Sequence, residues 1–479
     1  SEPVVEMDGQ IRLHDVGEDG ETLLLGSSRD GQMNLYRHDV PGGETTKVTD
    51  YERAVAAGQL SPEGDRIAYM TNETDTYENS DVYVADGDGS NARNLEIGDV
   101  GAESVPIDWG PDGDRLLVGD NTIDLGRAGV VDLSGGVDDA TVTWFGDGQF
   151  EESPSHFLNG GERFVAGRTR GAVTVPVVYD VESGEGRELD FPAGVANVAE
   201  GRLDDDRLLA YRTTSSKRPE LVAYDLDADA TETLFDAEYG PFDPDDFVEP
   251  EAVSFASDGV PETPARAVDH DPYEEFEIEG LLFDSGRRPS PLIVNPHGGP
   301  RHHDMRRFSY RVQFLLSRGY SVLQVNYRGS TGRGREFVRE LYDDWGGAEQ
   351  GDVATGVEHV LDEYDWLDED RVAVYGGSYG GYSANWQMVQ YPDLYAAGVT
   401  WVGVSDLFDM YENTMPHFRT ELMVKNLGEP EENEAIYRER SPVNYVENVD
   451  APLLIVHGVN DPRVPVSQAR ILRDALDDA

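Results

Sequence analysis

The chain has 479 residues, too many for a single hydrophobic core, so at least two domains are expected. Its 95 acidic residues outnumber its 38 basic ones, giving a formal net charge of −57. A chain with this balance has no basic patch to neutralise phosphates, which argues against nucleic acid as a partner. A hydrophobic fraction of 38% excludes a disordered acidic protein, and the lack of cysteine excludes disulfides and a thiol nucleophile.

Lysine is scarce, and the only three are Lys47, Lys217 and Lys425. Carboxylates in such excess repel one another in dilute salt, whereas at molar salt the screening length shrinks to about 3 Å. An acidic, lysine-poor chain with folded-type motifs resembles proteins of salt-in halophiles. No run of about 18 apolar residues is present, so we expect no membrane partner and a cytoplasmic location.

The first half of the chain repeats a turn followed by an apolar strand. The markers of this turn are Gly20, Gly64, Gly113, Gly161 and Asp206, with spacings of 44, 49, 48 and 45 residues. A second strand-like run follows in most copies, and each copy has room for two further short strands. Four strands in about 45 residues are typical of one β-propeller blade, and helical solenoids of that period lack the alternation of apolar and polar residues.

We therefore predict an all-β propeller over residues 1–250, with five clear blades. Residues 251–268 are a candidate for part of a sixth blade, completed by N-terminal residues. The acidic, proline-rich stretch 251–273 is predicted to link the domains. Residues 274–479 then show strands alternating with helices, which predicts an α/β-hydrolase domain with a doubly wound, mostly parallel sheet. Within it, Val353, Val357 and Val360 mark the buried face of a helix.

One motif in the second domain carries chemistry, Gly376-Gly377-Ser378-Tyr379-Gly380. It follows a short apolar run at 371–375 and precedes a helix-like segment, and a strand, a sharp turn and a helix make a nucleophile elbow. The pattern alone is weak, because about 0.3 copies are expected by chance in so glycine-rich a chain. Its context makes Ser378 the predicted catalytic nucleophile.

A serine nucleophile needs a base and a carboxylate that orients the base. Asp461 stands at the carboxyl end of the apolar run 451–456 and is the predicted acid, although it could instead cap the helix that begins near Val466. Asp406 is the rival, since it also follows a strand-like run. The amide of Tyr379 is the expected oxyanion donor, and the His-Gly-Gly-Pro turn at 297–300 is the expected source of a second one.

Together these segments resemble the catalytic domain of the prolyl oligopeptidase family of serine peptidases, in its acylaminoacyl-peptidase and dipeptidyl-peptidase-like branch. The matching segments lie at 295–300, 326–332, 376–382, 441–443, 457–458 and 461–465. The resemblance implies Ser378 as nucleophile, Asp461 as triad acid, and the amides of Tyr379 and Gly299 as oxyanion hole. It also implies a propeller, usually of seven blades, that admits only short or unfolded peptides.

The resemblance has one gap, because the family's catalytic histidine lies a few tens of residues after the acid. No histidine follows Asp461 in this chain, so we expect the base beyond residue 479 and the chain to be a truncated form. His457 matches a family position that is not the base, and His302 and His303 are interpreted as exposed loop residues.

The sequence thus predicts a serine peptidase that cleaves oligopeptides through an acyl-enzyme, with neither cofactor nor metal. A carboxylesterase on the same fold is an alternative, because the serine does not specify which acyl compound arrives. A non-catalytic propeller interaction protein with a degenerate hydrolase domain is a second one. Homo-oligomerisation is left open by the sequence.

Overall fold

The computed structural model describes residues 4–74, 76, 79–202, 207–257 and 276–479. Its first half consists of five antiparallel sheets of four strands each, in sequential order. In the first two sheets the strands are β1 (Ile11–Val16), β2 (Thr22–Ser27), β3 (Asn34–Asp39), β4 (Glu44–Lys47), β5 (Ala57–Leu60), β6 (Arg66–Thr71), β7 (Asp81–Asp86) and β8 (Arg93–Asn94).

The next three sheets repeat this plan. Their strands are β9 (Ser104–Trp109), β10 (Arg115–Asp120), β11 (Arg127–Asp132), β12 (Thr141–Trp144), β13 (Glu151–Leu158), β14 (Arg163–Arg170), β15 (Val173–Asp180), β16 (Gly186–Glu188), β17 (Val195–Arg202), β18 (Arg207–Thr213), β19 (Glu220–Asp225) and β20 (Ala230–Phe235). A single parallel pairing of Thr174 with Val195 joins the last two sheets. The β-propeller fold class predicted for the first half is confirmed, with five four-stranded sheets among the described residues.

The marker glycines of the repeat sit in the hairpin between the first and second strand of a blade. Gly64 and Gly113 have φ of 68° and 70°, a left-handed conformation that glycine adopts without steric cost. The first strands of successive blades contact one another: β1 contacts β5, and β5 contacts β9. Neighbouring blades therefore meet at their first strands. Asp206, the fifth marker, lies outside the described residues.

The second half is built on a seven-stranded sheet of order β21-β22-β24-β23-β25-β26-β27. Its strands are β21 (Glu251–Ser257), β22 (Phe276–Phe283), β23 (Ser290–Val294), β24 (Ser321–Asn326), β25 (Leu367–Gly377), β26 (Ala397–Trp401) and β27 (Leu453–Val456). β21 and β22 are antiparallel, and the five strands from β24 to β27 in the order are parallel.

The domain boundary differs from the prediction at β21. This strand pairs along its whole length with β22, so 251–257 belong to the hydrolase sheet and neither to a linker nor to a sixth blade. Its buried side chains explain the pairing, because Val253 and Phe255 are each 6% exposed and join the main hydrolase core. The remainder of the predicted linker, residues 258–273, lies outside the described residues.

Helices cover both faces of this sheet, as predicted for a doubly wound domain. They are α1 (Tyr310–Ser317), α2 (Arg335–Arg339), α3 (Ala348–Glu363), α4 (Tyr379–Gln390), α5 (Leu407–Asn413), α6 (Pro416–Phe418), α7 (Lys425–Leu427), α8 (Glu434–Glu439) and α9 (Ser467–Asp478), with a π-helical turn at Arg419–Val424. Short 3-10 turns lie at Val137–Asp139, Asn159–Gly161, Pro244–Asp246, Pro392–Leu394 and Pro442–Asn448.

Burial shows which helix faces the sheet on each side. In α3, Val353, Val357 and Val360 are fully buried against the sheet core, as their spacing predicts. On the other face, Val312 and Leu316 of α1 pack against a separate apolar cluster that includes Leu281 and Val322. No helix in the described part of the chain is long and apolar enough to cross a membrane.

The propeller docks on loops of the hydrolase domain. Asp124 accepts hydrogen bonds from the first amides of α2, and Gly101 accepts one from the Arg339 guanidinium at 2.7 Å. Further along the interface, the amide of Arg306 donates to the Ala172 carbonyl at 2.8 Å, and that of Phe308 donates to the Thr213 hydroxyl at 3.2 Å. The propeller therefore touches the chain directly downstream of the turn at 297–300.

Candidate active site

Ser378 occupies the sharp turn between β25 and α4. Its φ of 58° and ψ of −121° lie in a region that non-glycine residues rarely adopt, and nucleophile elbows store strain in this way. The turn needs glycine beside it, because a Cβ on Gly380 would come within 2.3 Å of the Pro296 carbonyl oxygen. A Cβ on Gly376 would lie only 1.9 Å from the carbonyl oxygen of Gly380. The strand–turn–helix context predicted around Ser378 is present.

The Ser378 side chain faces a cavity of about 380 Å³. Gly298, His302, Asp304 and Trp401 contribute to its walls. Within the described residues the hydroxyl has no hydrogen-bond partner, since only the backbone groups of Ser378 are engaged, with Trp401 and Tyr382. The hydroxyl therefore stands free beside a space large enough for part of a substrate.

Two backbone amides near Ser378 are candidates for the oxyanion hole. The Tyr379 amide opens α4, and the Gly299 amide lies in the turn at 297–300, whose Gly298 passes so close that a Cβ there would be 2.9 Å from the Gly377 carbonyl oxygen. Among the described residues, neither amide donates to a protein acceptor. Unpaired amides beside a nucleophile suit an oxyanion, so the prediction for both residues is retained.

A buried carboxylate that the sequence reasoning missed supports Tyr379. The Tyr379 hydroxyl donates to Oε1 of Glu349 at 2.8 Å, and the same carboxylate accepts the amides of Gly346 and Gly347 at 2.6 and 2.9 Å. Burial raises the pKa of Glu349 to about 7. The Trp345 ring packs edge-on against Tyr379 with centroids 5.1 Å apart. A sequence signal existed in the Trp-Gly-Gly run at 345–347, directly before a helix.

His297 anchors the start of the oxyanion turn from inside the hydrolase core. Its ring stacks on Tyr327 at 4.2 Å, and its Nε2 lies 2.9 Å from the Ser330 hydroxyl. Its Nδ1 lies 3.0 Å from the Gly298 carbonyl oxygen, so both ring nitrogens have hydrogen-bond partners. Burial lowers the pKa of His297 to about 3. The residue is a neutral structural anchor.

Asp461 lies beyond the carboxyl end of β27, and Ser378 directly follows the carboxyl end of β25. The strands β25, β26 and β27 are parallel and paired in register, so their carboxyl ends share one edge. Oδ1 of Asp461 accepts the amides of Arg463 and Val464, each at 2.9 Å. The rival, Asp406, caps α5 through the amides of Phe408 and Asp409, which occupies one of its carboxylate oxygens.

None of the described histidines forms a side-chain hydrogen bond with Ser378 or Asp461. His457 donates from Nε2 to the Val464 carbonyl at 2.8 Å. His302 and His303 were expected to be exposed, but both are half-buried between the turn and the propeller interface. The Nδ1 atom of His303 is 2.9 Å from the Thr331 hydroxyl. His270 lies outside the described residues.

Asp304 is a second feature that the sequence reasoning did not single out. It lines the same cavity as Ser378, and its Oδ2 atom is buried with no hydrogen-bond partner. Burial raises the pKa of Asp304 to about 7, partly opposed by Arg307. No sequence pattern distinguishes this residue from the many exposed acids of the chain, because only its burial makes it unusual.

Comparison with known proteins shows what the second domain is similar to. Residues 306–479 match the model of the prolyl oligopeptidase family. The chain is 36% identical over 192 residues to the uncharacterized peptidase YuxL of Bacillus subtilis, covering 40% of this chain and 29% of that protein. It is also 36% identical over 185 residues to dipeptidyl aminopeptidase BIII of Pseudoxanthomonas mexicana, covering 38% and 27%. The matches thus span less than a third of either relative.

The fold has a solved counterpart that includes the propeller. The crystal structure of puromycin hydrolase superposes with a TM-score of 0.81 at 22% identity, over 98% of this chain and 73% of that one. At this identity the likeness concerns the fold alone. The sequence match of the second domain and the two-domain fold agree with the motifs, and residues 306–479 of this chain are similar to the prolyl oligopeptidase family.

Proposed function

We propose that the protein is a serine peptidase that hydrolyses short peptides through an acyl-enzyme. The observation that carries the proposal is the strained Ser378, whose hydroxyl is free beside a cavity and two unpaired amides. Similarity of the hydrolase domain to the prolyl oligopeptidase family supports the same reaction class. The relatives' names, a peptidase and a dipeptidyl aminopeptidase, favour a peptide bond as the target.

In the proposed reaction, Ser378 Oγ attacks the scissile carbonyl carbon while its proton passes to a base. The negative charge that develops on the carbonyl oxygen is held by the amides of Tyr379 and Gly299. The C–N bond then breaks, the amine leaves with the proton, and water hydrolyses the resulting ester to free Ser378. Asp461 orients the base.

The base in this proposal is a histidine other than the nine that the structure describes. His297 and His457 are committed to Ser330 and to the Val464 carbonyl. His302 lines the cavity, but burial lowers its pKa and its nearest polar partner is the Arg307 guanidinium at 3.4 Å. A histidine beside a guanidinium is a poor proton acceptor, because the neighbouring charge disfavours its protonated form.

The propeller is proposed to restrict access to the cavity. Its loops contact the segment 301–308, which follows the oxyanion turn, and the helix α2. A cap in this position favours short or unfolded peptides. It also distinguishes the peptidase from a simple carboxylesterase, for which such a cap has no evident use.

The test compares an amide and an ester with the same acyl group in the full-length protein. A blocked short peptide amide and its matched alkyl ester are assayed in parallel, with Ser378→Ala as the control. We expect both substrates to be cleaved and both activities to be lost in the variant. Cleavage of the ester alone would favour the carboxylesterase, and no cleavage by a folded protein would favour the non-catalytic propeller protein.

A further inference from the structure

One propeller side chain reaches the oxyanion turn. Glu103, just before β9, accepts two hydrogen bonds from the Arg301 guanidinium, each at 2.9 Å. Arg301 directly follows Pro300, the last residue of the His-Gly-Gly-Pro turn. A bidentate guanidinium–carboxylate pair fixes orientation as well as distance, so Glu103 holds the downstream end of the turn in one place.

The same carboxylate also holds a second element of the hydrolase domain. Lys425 Nζ donates to Oε1 of Glu103 at 2.5 Å and is only 11% exposed. Lys425 begins α7, within the helical segment 416–427, and upstream of this segment the Thr414 hydroxyl donates to the Arg463 carbonyl at 2.6 Å. Glu103 therefore contacts both the oxyanion turn and the helical segment 416–427. Just upstream of that segment, Thr414 contacts the loop that carries Asp461.

Electrostatics and composition agree with this bridging role. Burial alone would raise the pKa of Glu103, but Arg301 and Lys425 lower it to about 2, so the carboxylate is charged at any ordinary pH. Lysine occurs at only three positions in this chain, and one of them serves this contact. The backbone of Glu103 is itself fixed, because its amide donates to Oδ1 of Asn121 at 2.7 Å.

Only one of the two candidate oxyanion donors is held in part by the propeller. Glu349 fixes the side chain of Tyr379 from within the hydrolase domain. The turn that carries Gly299 has a hydrolase anchor on one side, His297, and on the other side a propeller anchor, Glu103, which contacts Arg301. Removal of the propeller contact should therefore disturb one donor and leave the other in place.

We propose that Glu103 is a positioning residue of the active site, by which the docked propeller sets the geometry of the oxyanion turn. The inference rests on the proposed function for its catalytic consequence, but its structural part stands independently of it. If Glu103 acts in this way, its loss lowers the rate of the chemical step more than it weakens substrate binding, because an oxyanion forms only after the substrate is bound.

The test uses Glu103→Gln in the full-length protein, a change that keeps shape and removes charge. Glu188→Gln is the matched control, because Glu188 also pairs with two cations, Arg168 and Arg170, and is 33% exposed against 29% for Glu103, but lies within one blade. Two measurements are made on each variant: amide hydrogen exchange of the peptide 297–304, and kcat and KM for a blocked peptide.

We expect Glu103→Gln to speed exchange in 297–304 about tenfold, with exchange elsewhere in the hydrolase domain unchanged. We expect kcat to fall about 10- to 100-fold while KM stays within about twofold. Glu188→Gln should change none of these. Glu103→Gln could speed amide exchange throughout the chain. In that case Arg301→Lys, which keeps the charge but cannot form the bidentate pair, should speed exchange less and only in the turn.

The outcomes separate the inference from the proposed function. Unchanged exchange at 297–304 in both Glu103→Gln and Arg301→Lys would overturn the positioning role, whatever the kinetics. Faster exchange confined to the turn, in a protein that cleaves no peptide, would retain the structural role and reject the peptidase. A rise in KM with unchanged kcat would show that Glu103 acts on substrate binding instead, and would also overturn the inference.

Discussion

Tyr379 has two groups that matter to the proposal: its amide has no protein acceptor among the described residues, and its hydroxyl donates to Glu349. The carboxylate lies in a fully buried pocket of aromatic rings, where a lost hydrogen bond is not replaced by water. The position of the amide therefore depends on a side-chain contact that plays no direct part in the reaction.

Tyr379→Phe should lower kcat about tenfold and leave KM nearly unchanged, because the elbow loses the bond that fixes its first helical residue. Tyr395→Phe is the matched control, since the Tyr395 hydroxyl is also buried and donates to Gln387 at 2.8 Å, but away from the elbow. Both variants should lose about 1 kcal/mol of unfolding free energy. Equal kcat values for the two variants would contradict the role given to Glu349.

One buried histidine of the propeller, His156, should make the stability of the folded protein depend on pH. His156 is 6% exposed, its Nε2 has no hydrogen-bond partner, and burial lowers its pKa to about 4. The unfolded chain takes up a proton near pH 6.5, before the folded chain does. Stability contributed by the neutral ring is therefore lost as the pH falls below about 6.5.

His156→Gln should reduce this acid sensitivity. Between pH 7.5 and pH 5 the wild type should lose about 2 kcal/mol through this one residue, and the variant should lose correspondingly less. Denaturant unfolding of both proteins at the two pH values, at constant high salt, measures the difference. Parallel pH profiles for the two proteins would show that His156 is protonated in the folded state.

The glycine turns of the repeat close hairpins and also accept hydrogen bonds from arginines of the preceding blade. Arg37, on β3 of the first blade, donates to the Gly64 carbonyl of the second blade at 2.8 Å, and Arg115, on β10 of the third blade, donates to the Gly161 carbonyl of the fourth at 2.6 Å. Arg66 makes the same contact with Gly113 and stacks over Trp109 at 5.1 Å. Three of the glycines that mark the sequence repeat, Gly64, Gly113 and Gly161, thus accept arginine hydrogen bonds between blades.

Arg66→Gln should lower the unfolding free energy by about 1–2 kcal/mol, because a half-buried hydrogen bond from a charged donor and a stacking contact are both lost. Arg187→Gln serves as the control, since Arg187 is an exposed residue on the outer strand β16. Thermal unfolding followed by β-sheet circular dichroism compares the two. Equal losses would mean that the contacts between blades contribute no more than any surface arginine.

The elements that sequence reasoning predicted well are those with a strong local signature. The glycine turns predicted the repeated hairpins of the first half, the spacing of Val353, Val357 and Val360 predicted α3, and the glycines around Ser378 predicted the turn between β25 and α4. β21 was misassigned, because alternating burial in a single short strand does not reveal which sheet it joins. That information resides in the pairing with β22, which is a tertiary contact.

The site was predictable only in part, for the same reason. Ser378, Tyr379, Gly299 and Asp461 belong to motifs with fixed local order. Glu349, Asp304 and Glu103 do not, because each differs from the other acids of the chain only in what surrounds it. A side chain whose role depends on contacts with another domain leaves no local pattern.

For the whole molecule, the dominant physical quantity is charge. A net charge of −57 makes the folded state electrostatically self-repulsive, and screening at molar salt removes most of that repulsion. The melting temperature should therefore rise steeply between about 0.1 M and 2 M potassium chloride. A flat profile over this range, measured by scanning calorimetry, would refute the halophilic interpretation.

The central claim, that Ser378 is an activated nucleophile, is tested most directly by covalent labelling. The full-length protein is treated with a fluorophosphonate, digested and analysed by mass spectrometry. Our account predicts one stoichiometric adduct on Ser378, absent from Ser378→Ala and formed more slowly in Tyr379→Phe. An adduct on another serine, or undiminished labelling of Ser378→Ala, would contradict it.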